Sequence, residues 1–167
     1  MNLVLCGPPF SGKSTVSQLV AEHLDWELLD TDLLIEKKVG LSCRDLYLEM
    51  GEEVFRATER EVLDTLTHVQ HKVIALGGGV MDVDLVKKLG LVFYLQLPVE
   101  VLWDRMMLVP EKPAYLSETD PFKEFSERIS SRLSLYEAMA EQWLNAEHTP
   151  QELANQVIEI GEAHGIK

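Results

Sequence analysis

The residues with the clearest chemistry are 7–14, which match the phosphate-loop pattern G-x-x-x-x-G-K-S/T in full. They lie between an apolar run at residues 2–6 and a helical pattern that begins at Lys13, which is the strand–loop–helix order that this pattern requires. Glycines let backbone N–H groups turn inward around an anion, Lys13 reaches the β- and γ-phosphates, and the Ser14 hydroxyl ligates Mg²⁺. The motif predicts a nucleoside triphosphate site. A GTPase is disfavoured because no base-reading N-K-x-D sequence is present.

Two carboxylates, Asp30 and Asp32, follow the second predicted strand. Residues two apart in an extended segment face the same way, so we expect both to point into the crevice beside the phosphate loop. One would hold Mg²⁺ through water, and the other would orient a hydroxyl nucleophile and accept its proton. The alternative is structural, since Asp32 equally suits the N-cap of a helix that begins at Leu33.

Three further features are weaker on their own. The triple glycine Gly77-Gly78-Gly79 follows a predicted strand, and it either lets a ligand approach the backbone or forms a flexible turn. Arg56 and Arg132 each lie on a predicted polar helix, where a surface arginine is the ordinary interpretation.

Apolar runs that alternate with helical patterns must position these groups. The predicted strands are residues 2–6, 26–29, 72–76 and 91–97, with a short fifth near 143–146. The predicted helices are residues 13–24, 33–38, 43–50, 53–69, 82–89, 99–107, 122–144 and 151–163. This alternation predicts an α/β fold with a parallel sheet covered on both faces, whose ligands bind beyond the carboxyl ends of the strands.

The charge balance limits the partners. The 167 residues include 28 acidic and 15 basic ones, for a net charge of −13. Such a field repels polyanions, so we expect no nucleic acid and no membrane partner, and a phosphate ligand requires cations gathered locally.

Cys6 and Cys43 have no C-x-x-C spacing and predict reduced thiols, and no apolar stretch is long enough to span a membrane. We expect a cytoplasmic monomer.

The motifs together resemble the shikimate kinase family. The phosphate loop, Asp30-x-Asp32, G-E-x-x-F-R-x-x-E at residues 51–59, the triple glycine and R-x-x-L-Y at residues 132–136 occur in the family's order. The resemblance implies a three-layer α/β/α P-loop kinase fold with a five-stranded parallel sheet of order 2-3-1-4-5. It implies one domain over residues 1–167, with a substrate-binding segment at about 31–60 and a lid at about 107–120. The implied reaction transfers the γ-phosphoryl group of ATP, with Mg²⁺, to the 3-hydroxyl of shikimate.

The resemblance also implies site residues. The catalytic groups would be Asp32, which also contacts the substrate and serves as the base, Lys13 and Lys112. ATP would contact Gly7, Ser11, Gly12, Lys13, Ser14, Thr15, Lys112 and Arg105, the last stacking on adenine. Shikimate would contact Asp32, Gly78 and Gly79. Its carboxylate would be held by Arg56 and Arg132. Mg²⁺ would be held by Ser14 and Asp30.

Two positions depart from the family's usual pattern. Phe10 stands where the phosphate loop usually has glycine, which makes the loop bulkier. The lid reads Lys112-Pro113-Ala114-Tyr115 where many members have R-P-L-L, so lysine keeps the charge of the usual arginine but loses its two-pronged geometry. We predict that Lys112 substitutes at some loss of rate.

Two other functions fit parts of the sequence. A gluconate or nucleotide kinase would share the phosphate loop, although the F-R-x-x-E and R-x-x-L-Y segments favour shikimate. A non-catalytic ATP-binding module would explain the departures at Phe10 and Lys112. A module of that kind has no use for a proton acceptor beside an acceptor-hydroxyl site, which favours an enzyme.

Overall fold

The fold is built on a parallel five-stranded sheet, seen in a computed structural model that describes all 167 residues, Met1–Lys167. Its strands run in the order β2-β3-β1-β4-β5, which confirms the predicted order. They are β1 (Leu3–Cys6), β2 (Glu27–Asp30), β3 (Lys72–Ala75), β4 (Leu91–Gln96) and β5 (Gln142–Asn145). Because β2, β3 and β1 are neighbours, the segments that leave their carboxyl ends meet at one edge of the sheet.

Seven helices surround this sheet. They are α1 (Lys13–Leu24), α2 (Thr31–Val39), α3 (Cys43–Leu66), α4 (Val83–Val86), α5 (Val99–Met107), α6 (Pro121–Met139) and α7 (Pro150–Ala163). None of them is both long and apolar enough to cross a membrane.

Two apolar clusters, one on each face of the sheet, make the three layers. In β1, Leu3 and Leu5 belong to the cluster shared with α1, α5 and α7, whereas Val4 and Cys6 belong to the cluster shared with α2, α3 and α4. Helix α6 contributes side chains to both clusters. A parallel strand buried on both faces needs such a continuous apolar sequence, which is why residues 2–6 lack polar alternation.

Three predicted boundaries are wrong in ways that affect the site. The helix predicted over 122–144 ends at Met139, because the chain turns there to form β5. The helix predicted to begin at Leu33 begins at Thr31, so Asp32 is helical rather than extended. The predicted helices 43–50 and 53–69 are the two halves of α3, which ends at Leu66 and bends at Gly51, where φ is 86° and ψ is 168°.

Candidate functional site

The phosphate loop joins β1 to α1. Helix α1 begins after Gly12, whose φ of 94° is left-handed and which provides no side-chain cap. The first backbone N–H groups of the helix therefore have no capping side chain, and the partial positive charge of its N-terminus faces the loop. The Ser11 hydroxyl is buried in this loop without a hydrogen-bond partner. The loop thus offers donors to an anion.

Lys13 is buried beneath this loop, with 9% of the residue's surface exposed. Its ammonium group donates to the carbonyl oxygens of Gly7 at 2.8 Å and Pro8 at 2.7 Å. Burial lowers the pKa of Lys13 to about 8, although the negative charges of Asp32 and Asp30 act in the opposite direction. A phosphate oxygen would have to replace these carbonyls as the partner of the ammonium group.

Two contacts hold the unusual Phe10 in place. Its φ of 68° is left-handed, a region that glycine enters more readily than phenylalanine does. Its carbonyl accepts a hydrogen bond from Arg105 Nη1 at 3.0 Å, and its ring lies 6.4 Å from the ring of Phe125 on α6. The structure therefore places Arg105 against the phosphate loop, and the stacking of Arg105 on adenine stays a prediction.

The two carboxylates have different roles at the start of α2. Asp30 is the N-cap, because its Oδ1 accepts from the backbone N–H groups of Asp32 at 2.9 Å and Leu33 at 3.2 Å. The suggestion that Asp32 caps the helix is therefore wrong, and its carboxylate lies against the backbone of Gly77. Burial raises the pKa of Asp32, and the charge of Asp30 adds to this while Lys13 opposes it. Asp32 is thus a more basic carboxylate than an exposed aspartate.

Thr31 is a site residue that no motif identifies. It is fully buried, and its Oγ1 accepts a hydrogen bond from the Gly77 N–H at 2.8 Å. This contact joins the start of α2 to the triple glycine. In the sequence Thr31 lies between the two carboxylates. Only its hydrogen bond with Gly77, which the tertiary structure brings near, distinguishes it from an ordinary helix residue.

The triple glycine is where loop, carboxylate and arginines meet. A Cβ on Gly78 would lie 2.6 Å from the Pro9 ring, so the phosphate loop approaches as closely as glycine allows. A Cβ on Gly79 would lie 3.5 Å from Arg132 Nη2 and 3.7 Å from Arg56 Nη2. The two predicted arginines therefore converge on one glycine, from helices far apart in sequence.

Neighbouring side chains orient this arginine pair. Arg56 Nη1 donates to the Gly79 carbonyl at 2.6 Å and to Glu59 at 2.9 Å, and burial raises the pKa of Glu59 in spite of that arginine. Arg132 Nη1 donates to the Gly78 carbonyl at 3.3 Å, as does the buried Tyr136 hydroxyl at 2.5 Å. Glu59 and Tyr136 end the F-R-x-x-E and R-x-x-L-Y segments, so those motifs already contained the positioning groups.

Two cavities meet between these elements. One, of about 890 Å³, is lined by the arginine pair, and the other, of about 340 Å³, is lined by the phosphate loop with Ser14 and Thr15. Pro9, Asp32 and Gly78 line both cavities. The site therefore has one compartment suited to phosphates and one suited to a carboxylate. Asp32, whose pKa is raised, lies at their junction.

Comparison with known proteins places this site in a family. A sequence model of the family described as shikimate kinase matches residues 9–161. The chain belongs to the shikimate kinase family. A shikimate kinase from Clostridium botulinum is 36% identical over 140 residues, which are 81% of this chain and 82% of that relative. One from Thermodesulfovibrio yellowstonii is 33% identical over 162 residues, or 94% and 92% of the two chains.

Solved structures of the family have the same architecture. The shikimate kinase from Acinetobacter baumannii in complex with shikimate matches with a TM-score of 0.89 at 30% identity, covering 99% of this chain and 95% of that one. Membership confirms the predicted resemblance and the predicted class of enzyme, a kinase. It also decides against the gluconate and nucleotide kinase alternatives.

Lys112, which stands where the resemblance predicts a lid arginine, contacts the end of α5 in the structure. Lys112 lines neither cavity, and its ammonium group donates to the carbonyls of Met106 at 3.1 Å and Met107 at 2.7 Å at the end of α5. A role at the transferring phosphoryl group stays a prediction, and it requires Lys112 to leave these carbonyls. Arg105 also lines neither cavity, so of the predicted cations only Lys13, Arg56 and Arg132 line the two cavities directly.

Substituting Gly77 tests how the triple glycine positions the carboxylate. An added Cβ would overlap the Asp32 carboxyl group, so we expect Gly77→Ala to displace it and to lower kcat by about 30-fold, since an error near 1 Å costs up to about 100-fold. The affinity of this variant for ATP should match that of the wild type. Gly79→Ala is the contrasting variant, because its Cβ makes ordinary contacts at 3.5 Å with the arginines and should raise the KM for shikimate instead. Equal losses of kcat in both variants would contradict this assignment.

The two perturbed pKa values predict a bell-shaped pH profile for kcat/KM with respect to ATP. Because burial lowers the pKa of Lys13 to about 8, its positive charge is lost as the pH rises through about 8, and the alkaline limb should begin there. Because the pKa of Asp32 is raised, it gains a proton at a higher pH than an exposed aspartate does, and the acid limb should be shifted upward accordingly. Lys13→Arg keeps its charge, so an unchanged alkaline limb in that variant would contradict the assignment.

Proposed function

We propose that this chain transfers the γ-phosphoryl group of ATP to the 3-hydroxyl of shikimate, the reaction of its family, with Asp32 as the base. The observation that carries the proposal is the place of Asp32, which lines both the phosphate-loop cavity and the arginine-lined cavity. A carboxylate at that junction can contact an acceptor hydroxyl in one cavity while the phosphoryl donor lies in the other.

The nucleotide would be held by the phosphate loop. Backbone N–H groups of the loop, which Pro8 and Pro9 lack, and of the start of α1 would surround the β-phosphate. Ser11, with its buried unpartnered hydroxyl, would donate to it. Lys13 would exchange the Gly7 and Pro8 carbonyls for phosphate oxygens. Thr15 and Arg105 would complete the contacts, the latter next to the nucleotide base.

The residues present fit an Mg²⁺ ion. Ser14 and Asp30 line the phosphate-loop cavity, and Mg²⁺ binds through one or two protein oxygens together with phosphates and water rather than in an all-protein cage. When bound, the ion neutralises charge on the β- and γ-phosphates. The carboxylate of Asp30 would therefore contact the ion while its Oδ1 also caps α2.

The acceptor would be oriented by its carboxylate. Arg56 and Arg132 converge on Gly79, and two guanidinium groups suit the planar carboxylate of shikimate. The N–H groups of Gly78 and Gly79 would lie beside the ring hydroxyls. Held in this way, the 3-hydroxyl would donate a hydrogen bond to Asp32.

The reaction would then be an in-line displacement. The 3-hydroxyl oxygen forms a bond to the γ-phosphorus, the bond from that phosphorus to the β–γ bridging oxygen breaks, and ADP leaves with the electron pair. Asp32 takes the hydroxyl proton, a task for which its raised pKa is suited. Lid residues Ala114 and Tyr115 line the arginine-lined cavity, called the acceptor cavity below, and would limit access of water.

The whole chain would act as one cytoplasmic domain and as a monomer, with residues 31–60 as the substrate-binding segment and residues 107–120 as the lid. Support for its small-molecule partners comes from the net charge of −13, which repels nucleic acids and anionic membranes. Both cysteines are free thiols, in keeping with a reducing compartment. Light scattering of the purified protein tests the monomer.

The deciding experiment measures ADP release with ATP and Mg²⁺, with and without shikimate. We expect release only with shikimate, no release with gluconate or nucleoside monophosphates, and loss of release when Mg²⁺ is chelated. ATP binding without any shikimate-dependent ADP would instead support a non-catalytic module and overturn the proposal.

A further inference from the structure

Four arginines line the acceptor cavity, and one of them has neither a hydrogen-bond partner nor an ion-pair partner. They are Arg44, Arg56, Arg128 and Arg132. Arg44 forms an ion pair with Glu111 of the lid at 2.8 Å, and Arg56 forms one with Glu59 at 2.9 Å. Arg132 donates to the Gly78 carbonyl. Arg128 pairs with no carboxylate and no carbonyl.

The lid holds Arg128 in a defined place. Its guanidinium carbon lies 4.1 Å from the centroid of the Tyr115 ring, which is a cation–π contact between α6 and the lid. Burial raises the pKa of the Tyr115 hydroxyl, and the charges of Arg128 and Arg132 both oppose that shift, so the two cations lie near the same ring. Tyr115 lines the acceptor cavity as well.

Arg128 lies one helical turn before Arg132, the arginine that contacts the junction of the two cavities. Because the two residues are four apart on α6, their side chains share a helix face and begin about 6 Å apart along the helix axis. Arg132 contacts Gly78, which lines both cavities. A long arginine side chain spans a separation of this size.

The proposed reaction brings new negative charge into this place. A neutral hydroxyl becomes a phosphate ester, while the substrate carboxylate occupies Arg56 and Arg132 and the Lys112 ammonium group binds the end of α5. We propose that Arg128 is a further catalytic residue, which donates hydrogen bonds to the phosphoryl group as it reaches the acceptor oxygen and to the phosphate of the product, with Tyr115 orienting its guanidinium group. This inference rests on the proposed function, and Arg128 itself is unchanged in the step.

The test compares Arg128→Met with Lys123→Met, which removes the same charge from an exposed position of α6. Kinetics give kcat and KM, and calorimetry gives the affinities for shikimate and for shikimate 3-phosphate. We expect Arg128→Met to lower kcat by about 10- to 50-fold and the affinity for the phosphorylated product by about 10-fold, the range for one charged hydrogen bond. The affinity for shikimate should change less than about threefold. Lys123→Met should match the wild type.

A second pair of variants tests Tyr115. Tyr115→Phe should keep the stacking and so retain more of the affinity for the product than Tyr115→Ala does. Arg128→Met combined with Tyr115→Ala should bind the product no more weakly than Arg128→Met alone. Equal losses of affinity for shikimate and product in Arg128→Met would make Arg128 a carboxylate ligand and overturn the inference. So would a loss of product affinity in Lys112→Met with none in Arg128→Met. A wild type that neither binds nor phosphorylates shikimate would refute the proposed function instead.

Discussion

Asp32→Asn is expected to lower kcat by about 1,000-fold, within the range of about 10²- to 10⁴-fold that general base catalysis contributes. Asparagine keeps the size of the side chain and its place against Gly77, but it cannot accept the hydroxyl proton. The affinity for ATP should change less than about threefold, because the phosphate loop keeps its own contacts. Steady-state kinetics with saturating shikimate and calorimetry with ATP measure the two quantities.

Asp30→Asn is the comparison for this variant. Asparagine is as good an N-cap as aspartate, so α2 should stay folded while one carboxylate is lost. We expect a higher requirement for Mg²⁺ and an acid limb shifted to lower pH, because the charge of Asp30 helps to raise the pKa of Asp32. A 1,000-fold loss of kcat at saturating Mg²⁺ in Asp30→Asn, with a mild effect in Asp32→Asn, would reverse the assigned roles.

Arg132→Ala is expected to raise the KM for shikimate by about 100-fold, near the upper end for loss of a charged hydrogen bond at 1.5–3 kcal/mol. The alanine leaves Arg56 alone at Gly79 and removes one of two guanidinium groups from the substrate carboxylate. The KM for ATP should stay near its original value. Varying shikimate at saturating ATP gives the KM directly.

Two controls make this result specific. A shikimate analogue without the carboxylate should bind the wild type and Arg132→Ala equally weakly, since neither guanidinium group then has its anion. Arg60→Ala removes an arginine from α3 that is 75% exposed and paired with Asp82 at 3.7 Å, and it should behave as wild type. If the analogue lost as much affinity as shikimate on this substitution, Arg132 would be acting on the fold of the site and not on the carboxylate.

The features that could be predicted from the sequence are those whose signal lies in neighbouring residues. The phosphate loop needs only glycines, a lysine and a serine at set spacing between a strand and a helix, and the structure has that arrangement at residues 7–14. The apolar run of β1 likewise predicts a strand buried on both faces. The glycine spacing and the segments around Arg56 and Arg132 were specific enough to indicate the family, and with it the strand order.

The sequence alone could not decide which neighbour each polar group would find. Asp30 rather than Asp32 caps α2, since the helix begins two residues earlier than its apolar pattern suggests. Glu59 and Tyr136 were visible as motif positions, but their partners, Arg56 and the Gly78 carbonyl, depend on how α3 and α6 pack against the triple glycine.

The chemistry could be predicted from local motifs: a phosphate loop, a carboxylate for the proton and arginines for a carboxylate. The position of each cation depends instead on how the helices pack. Lys112 lies beside carbonyls at the end of α5, whereas Arg128, which no motif contains, enters the acceptor cavity over Tyr115. A loop motif is complete within a few consecutive residues, so its chemistry can be recognised from the sequence. The partner of a long, flexible cationic side chain depends instead on which groups the packing of distant helices brings within its reach.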